Sequence, residues 1–352
     1  MRRSVLAALA GLRVLASASA SAQPTLTLRD RLVVVSSASS AGLTQLLVRN
    51  FTERYEGVPQ PITNAVGSAR ALELFCSGSG PQTPDIAVVT RRMPRAMLDS
   101  CATNGVRDIV ELQLGLGAVV LVARRGEAMP GLTTRQVWEA MAAERPDEDE
   151  FLPNATRFWS DIANTLPRSD IRVIVPQASA GTRALFDDLI LESGCRYVKA
   201  VRLLFEASYR RAKCVAIRQD GRVVAVPSDA VPAALLAAPP GTLAVMSYDQ
   251  VVVSGGNFVP VTLDGVLPTP TSIGSHDYDP TRTFYLYAKR QHGRNQQGVG
   301  VVRGIREFLN EAVSEQAGGP GGYLTSAGLV PLGPAERAAQ RRVAEAQSLM
   351  SR

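Results

Sequence analysis

The chain has 352 residues, of which 45% are hydrophobic and 20% are charged, and its formal net charge is +6. This mildly basic balance argues against nucleic-acid binding, because the dense basic cluster at residues 210–213 is short and has only Tyr209 beside it. No stretch after residue 22 is apolar enough to span a bilayer, so we expect the mature chain to be soluble.

The first 22 residues have the pattern of a secretory signal peptide. Arg2 and Arg3 precede an alanine- and leucine-rich stretch that ends in Ala20-Ser21-Ala22, although Arg13 interrupts the apolar run. We predict cleavage before Gln23, and a disordered N-terminus is the alternative. Removal of these residues takes away three arginines and no acid, which lowers the formal charge from +6 to +3.

Short β-branched runs then alternate with longer amphipathic stretches, which predicts a mainly parallel sheet flanked by helices. About 330 residues are too many for one small core, so two lobes are expected. Strands are predicted at 31–35, 85–89 and 118–123, and helices at 43–55, 134–143, 183–192, 230–237, 304–313 and 334–350.

Three predicted strand-to-helix junctions, at 36–40, 67–69 and 179–182, carry small hydroxyl or glycine residues. Such a junction exposes unpaired backbone N–H groups at the positive end of a helix dipole, which suits an anion. Each junction taken alone is more often a plain N-cap. Together they indicate candidate anion-binding turns.

The four cysteines, Cys76, Cys101, Cys195 and Cys214, are an even number in a chain with an export signal. We predict pairing between neighbours, Cys76 with Cys101 and Cys195 with Cys214. Zinc is the alternative, but the cysteines form no C-x-x-C pair, and His276 and His292 lie far away in the sequence.

Signs of catalysis are weak. The chain has no G-x-S-x-G elbow, and its two histidines, His276 and His292, are predicted to be surface residues. The glycines of residues 76–80 lack the lysine of a phosphate loop. We therefore expect no enzyme activity, cofactor or metal.

The acidic segment 146–150 is predicted to be a solvated loop. Trp138 and Trp159 are predicted to be residues of the hydrophobic core.

The order of these motifs resembles the phosphate-binding proteins of ABC importers, which have the type II periplasmic binding protein fold. The resemblance rests on the serine run at 36–40, Gly67-Ser68, the segment Asp85 to Met93, Trp159 to Ile162, and Ala180-Gly181-Thr182-Arg183. It implies a two-lobed α/β protein, each lobe a mainly parallel sheet flanked by helices. It also implies a monomeric, periplasmic, non-enzymatic protein that captures inorganic phosphate or a related oxyanion and serves a membrane permease.

The resemblance places lobe one at residues 24–116 and 284–352 and lobe two at residues 117–283. Crossover strands at 114–122 and 283–288 would join the lobes, because both are apolar runs flanked by charge. The oxyanion would lie in the cleft between the lobes.

The predicted ligand-binding residues are the hydroxyls, glycines and arginines of these turns: Ser37, Ser39, Ser40, Gly67, Ser68, Thr90, Arg91, Ser179, Gly181, Thr182 and Arg183. A guanidinium from Arg183 or Arg91 would contact two ligand oxygens at once.

Three positions depart from the family, since Ala38, Ala180 and Pro176 stand where it usually has polar ligands. Asp85 is predicted to be too far from the cleft to accept the proton of a phosphate ligand. The alternative is a protein of this fold that has lost phosphate specificity and serves another anion or a signalling or structural partner.

Overall fold

The computed structural model describes residues 29–127, 129–147, 150–293 and 300–350. The predicted signal peptide at 1–22 lies outside these residues. The strands are β1 (Val33–Ser36), β2 (Ile62–Ala65), β3 (Ile86–Val89), β4 (Ile109–Arg124), β5 (Glu144–Asp147), β6 (Glu150–Pro153), β7 (Val173–Pro176), β8 (Val223–Val226), β9 (Leu243–Ser247), β10 (Phe258–Pro260) and β11 (Thr281–Lys289).

The helices are α1 (Ala41–Arg54), α2 (Ser68–Phe75), α3 (Arg95–Thr103), α4 (Thr134–Met141), α5 (Gly181–Phe186), α6 (Glu192–Arg196), α7 (Lys199–Arg202), α8 (Ala207–Val215), α9 (Val231–Ala237), α10 (Tyr248–Val253), α11 (Pro270–Gly274), α12 (Ile305–Ala312), α13 (Glu315–Gly318), α14 (Tyr323–Ser326) and α15 (Pro334–Ala346). The predicted α/β class is confirmed. The helix predicted at 183–192 is longer than expected, because a π-helical turn at Asp187–Leu191 joins α5 to α6 in one continuous helical segment.

Nine strands form one sheet in the order β2-β1-β3-β11-β4-β9-β7-β8, and β10 pairs with β4. β1 lies parallel to β2 and β3, and β7 lies parallel to β8 and β9. Between these parallel groups, β11 pairs antiparallel with β4. The sixteen residues of β4 pair first with β11 and then with β9 and β10, so β4 runs through both groups. The predicted crossover segments lie in β4 and β11.

The hydrophobic core is divided in the same way as the two groups of parallel strands. One cluster packs around β7, β9 and the second half of β4, and it includes Trp138 and Trp159, both 0% exposed. Both tryptophans are therefore core residues, as predicted. Two further clusters pack on the faces of the β1-β3-β11 group. Val330 and Leu332 belong to the first cluster although they follow the second crossover in sequence. The residue boundaries of the lobes remain a prediction.

Two disulfides join the cysteine pairs favoured by the sequence. Cys76, directly after α2, is bonded to Cys101 in α3, and Cys195 in α6 is bonded to Cys214 in α8. Each bond therefore ties neighbouring helices of one packing unit. All four thiols are used, so zinc coordination by these cysteines is excluded.

His292 was predicted to be a surface residue, and this prediction is wrong. Its side chain is 0% exposed, and its Nδ1 lies 2.7 Å from Asp85 Oδ1, which also receives a hydrogen bond of 2.5 Å from Arg29. Lys289, equally buried, donates to the carbonyl of Gly78 and to Thr83 Oγ1. Burial lowers the pKa of Lys289 to about 7, although the Asp85 carboxylate opposes this effect. These side chains form a buried charged cluster at the amino end of β3.

The described ends of the acidic segment 146–150, which was predicted to be a solvated loop, are instead strand residues of β5 and β6. β5 and β6 pair antiparallel, with Asp147 opposite Glu150, and both of these carboxylate residues are exposed.

Across the described ranges, no helix combines the length and apolar character of a membrane span. The same ranges hold no group of three or more His, Cys, Asp or Glu side chains arranged to bind a metal.

Candidate functional site

A cleft of about 240 Å³ lies where the segments that follow β1, β2, β3 and β7 converge. Ligand sites in α/β proteins lie at such carboxyl ends of parallel strands. Eight of the predicted site residues line it: Ser37, Ser39, Gly67, Ser68, Thr90, Arg91, Ser179 and Gly181. The three junctions singled out in the sequence therefore meet at one place.

Four hydroxyl groups from three chain segments form the hydroxyl cluster of the cleft, namely Ser37, Ser39, Ser68 and Thr90. Thr90 Oγ1 lies 3.2 Å from Ser39 Oγ and 3.4 Å from Ser68 Oγ, and Ser39 Oγ lies 3.2 Å from Ser37 Oγ. A hydroxyl can donate one hydrogen bond and accept two, and its hydrogen rotates to suit its partner. The cluster can therefore turn several donors towards one anion.

Gly67 positions Ser68 within this cluster. Its φ of +90° is a backbone conformation that residues with a side chain rarely adopt, and no side chain caps the helix α2 that follows. The first backbone N–H groups of α2 therefore lie beside Ser68, and no capping side chain accepts a hydrogen bond from them. An anion beside Ser68 would be close to these groups.

The opposite side of the cleft is one face of the helical segment that begins at Gly181. Gly181, Ala184, Leu185 and Asp188 all line the cleft, and we call them the helical wall. A Cβ atom placed on Gly181 would lie 2.8 Å from Ser39 Cβ. Atoms this close cannot coexist, so the helical wall touches the hydroxyl cluster at this point and glycine is the residue that permits the contact.

Three predicted residues lie outside the cleft lining: Ser40, Thr182 and Arg183. Ser40 is 0% exposed, and its hydroxyl donates to the carbonyl of Val88 over 2.8 Å. Arg183 Nε donates to Asp187 Oδ1 over 2.6 Å, and both side chains are largely buried. Since Gly181 faces Ser39, the helical rotation carries the next two side chains into the protein. The guanidinium expected from Arg183 therefore does not reach the cleft in this structure.

Two charged residues that the sequence analysis did not assign also line the cleft: Asp188 and Arg282. An Arg282 terminal nitrogen lies 3.1 Å from Asp188 Oδ2, and Arg211 from α8 lies 2.5 Å from Asp188 Oδ1. Asp188 follows Gly181 by seven residues and so shares its helical face. Arg282 immediately precedes the crossover strand predicted at 283–288. The helical spacing of Asp188 from Gly181 and the position of Arg282 beside the crossover strand could both have been read from the sequence.

Arg91 supplies a further positive charge. This residue lines the cleft, and within the described part of the chain its guanidinium forms no ion pair. Arg282 is partly neutralised by Asp188. The lining therefore carries two guanidinium groups and one carboxylate, next to the hydroxyl cluster and two helix starts. This balance favours an anionic ligand.

Comparison with a family model finds a match to the PBP superfamily domain over residues 16–316. No curated protein matches the sequence. Among solved structures, a possible phosphate binding protein from Planctomyces limnophilus superposes with a TM-score of 0.60 at 15% identity, covering 92% of this chain and 100% of its own.

Two further structures share the fold. The phosphate binding protein of Stenotrophomonas maltophilia gives a TM-score of 0.57 at 15% identity, with 89% of this chain and 93% of its own covered. An ABC-type phosphate transport receptor from Vibrio cholerae gives 0.53 at 16% identity, with 81% and 94% covered. At these identities the similarity establishes the type II periplasmic binding protein fold expected from the sequence.

Proposed function

This chain belongs to the PBP superfamily, and from that premise we propose that it captures a phosphate-type oxyanion as the periplasmic substrate-binding component of an ABC importer. The observation that carries the proposal is the hydroxyl cluster, in which Thr90 Oγ1 lies within 3.4 Å of both Ser39 Oγ and Ser68 Oγ and the three residues come from three separate segments. The solved structures named above are a possible phosphate binding protein, a phosphate transport receptor and a phosphate binding protein.

The chemistry of the cleft suits binding of a tetrahedral oxyanion. Such an anion presents oxygens in several directions, and here donors come from the hydroxyl cluster, from the start of α2 and from Arg91. Hydrogen bonds from a guanidinium to an anionic oxygen are short and about twice as strong as neutral ones.

The lobes and the hinge belong to the same proposal. Lobe one would comprise residues 24–116 and 284–352, lobe two residues 117–283, and β4 and β11 would be the connecting strands. In support, these two strands pair with each other between the two parallel strand groups. The contact of the helical wall with the hydroxyl cluster would correspond to closed lobes, and the closed protein would deliver its ligand to a membrane permease as a monomer, without catalysis.

Titration of the mature protein by calorimetry and thermal denaturation tests the proposal. Phosphate, arsenate, sulfate and molybdate are compared, because a ligand at 100 times its dissociation constant raises the unfolding free energy by about 2.7 kcal/mol. Ser39→Ala is expected to weaken binding, and Ser326→Ala, an exposed serine in α14, is the matched control. If no oxyanion stabilises the wild-type protein, the proposal is wrong and a role towards a signalling or structural partner is favoured.

A further inference from the structure

The helical wall extends well beyond the hydroxyl cluster. Gly181, Ala184, Leu185 and Asp188 are spaced as i, i+3, i+4 and i+7, so they form one continuous stripe along the helical segment. At a rise of about 1.5 Å per residue, the stripe is about 10 Å long. The cleft is therefore elongated, with the hydroxyl cluster at the Gly181 end.

The chemistry of this stripe changes along its length. At the Gly181 end it contacts Ser39, and its middle part consists of the apolar side chains of Ala184 and Leu185. At its far end Asp188 is paired with Arg282. An inorganic oxyanion carries oxygen on every side, so it has no surface that could bury against Ala184 and Leu185. The middle part suits a hydrocarbon group.

Two cleft positions also lack donors that a bare oxyanion would use. Ala38 and Ala180 line the cleft, and neither side chain has a hydroxyl. A phosphonate or a phosphate monoester presents only three terminal oxygens, because the fourth substituent of phosphorus is a carbon or a bridging ester oxygen. It therefore needs fewer donors than inorganic phosphate, and the two alanines would leave none of its terminal oxygens unmatched.

The size of the cleft is consistent with such a ligand. Its volume is about 240 Å³ even though the two sides touch at Gly181 and Ser39. Pockets for small organic molecules begin at about 300 Å³, so the cleft is close to that class. Ala184 and Leu185 are both part of its lining.

We propose that the cleft binds an organic phosphorus oxyanion, with its phosphoryl group at the hydroxyl cluster and a short carbon chain along Ala184 and Leu185. This inference rests on the proposed function, because it requires an oxyanion at the hydroxyl cluster. The chain is short, since the Asp188–Arg282 ion pair closes the apolar stretch and would meet a polar end group. Phosphonates and phosphate monoesters share this chemistry.

Calorimetric titration of the mature protein with inorganic phosphate, methylphosphonate, propylphosphonate and propyl phosphate tests the inference. Burial of one methylene contributes about 0.8 kcal/mol, which is about fourfold in affinity, so propylphosphonate is expected to bind about 15-fold more tightly than methylphosphonate. Inorganic phosphate is expected to bind more weakly than propylphosphonate. Comparison of propylphosphonate with propyl phosphate shows which of the two linkages the cleft prefers.

Leu185→Ala provides the matched variant. It is expected to remove most of the propyl advantage and to weaken the binding of inorganic phosphate to a much smaller extent, because Leu185 belongs to the apolar stretch. Leu236→Ala makes the same change at a half-exposed position of α9 that does not line the cleft, and it should change neither affinity. Circular dichroism and thermal melting establish that both variants are folded.

The outcomes separate the two proposals. If inorganic phosphate binds the wild-type protein as tightly as propylphosphonate, and Leu185→Ala affects both ligands equally, the inference is wrong and the proposed oxyanion function stands. If none of the four ligands binds, both proposals are wrong. Tighter binding of the propyl compounds, lost in Leu185→Ala and kept in Leu236→Ala, supports both.

Discussion

Gly181 and Ser39 are in contact across the cleft, and a Cβ atom on Gly181 would lie 2.9 Å from the backbone nitrogen of Ser39. A backbone atom cannot rotate away as a flexible side chain can. The contact therefore joins the helical wall to the hydroxyl cluster and makes the closed cleft dependent on a glycine at this position.

Gly181→Ala is expected to hold the two sides of the cleft apart and to lower oxyanion affinity at least tenfold, measured by calorimetry. The fold should tolerate the change, because alanine favours a helix by about 1 kcal/mol relative to glycine. Gly42→Ala in α1 is the control, since nothing lies within 4 Å of a Cβ at that position. An unchanged affinity in Gly181→Ala would show that the contact is not needed for binding.

Arg91→Gln removes the cleft guanidinium that has no ion-pair partner in the described ranges. A hydrogen bond to a charged group contributes about 1.5–3 kcal/mol, so the affinity for an oxyanion should fall by about 10- to 100-fold. Arg49→Gln, an exposed arginine of α1 outside the cleft, is the control for the loss of one positive charge. If calorimetry shows that the two substitutions lower the oxyanion affinity equally, the effect is one of long-range electrostatics. Arg91 would then not be a ligand-binding residue.

Arg183→Gln should affect stability rather than binding. The Arg183–Asp187 ion pair is largely buried, and burial raises the pKa of Asp187 while the arginine lowers it. Removing the arginine leaves a buried carboxylate without its partner, so the unfolding free energy should fall by about 2 kcal/mol or more. Urea denaturation measures this change.

The control for Arg183→Gln is Arg196→Gln in the same helical segment. Arg196 forms an ion pair with Glu192 across one helical turn, but its side chain is 55% exposed. Its loss should change the unfolding free energy by less than about 1 kcal/mol. If Arg183→Gln greatly lowers the oxyanion affinity and leaves the unfolding free energy unchanged, Arg183 is a ligand-binding residue, as predicted from the sequence.

Lys289→Met tests the buried charged cluster through pH. The pKa of Lys289 in the folded protein is about 7, below its ordinary value of 10.5, because of burial. Between these two values the unfolded lysine holds a proton that the folded one has released. The unfolding free energy should therefore rise with pH across this range, with a contribution approaching about 1.4 kcal/mol per pH unit.

Lys289→Met should remove this contribution, and Lys199→Met, an exposed lysine of α7, should keep it. Urea denaturation between pH 6 and pH 10 measures the slopes, with pH values chosen to span the interval between the folded pKa and the ordinary one. The same slope in wild-type protein and Lys289→Met would mean that Lys289 stays protonated in the folded protein. Asp85 would then be its charge partner.

Much of the site could be predicted from local pattern. The serine run after β1, Gly67-Ser68 and Thr90-Arg91 all follow buried strands, and the carboxyl ends of parallel strands meet at one edge of a sheet. The spacing of hydrophobic residues predicted β1, β3 and α1 to within two residues, whereas the strand predicted at 118–123 covers only the second half of β4. Neighbouring cysteines were paired correctly because each pair closes a short loop, of 25 and 19 residues, between adjacent helices.

The sequence by itself thus determined the α/β class, the disulfides and the turns that supply hydroxyl groups, because these features depend on residues close together in the chain. Only the tertiary structure decided that Arg183 faces inwards and that Arg282 and Asp188 meet in the cleft. The same is true of His292, which packs against Asp85 although 207 residues separate them. Such contacts depend on helix rotation and on the packing of distant segments, which no local pattern encodes.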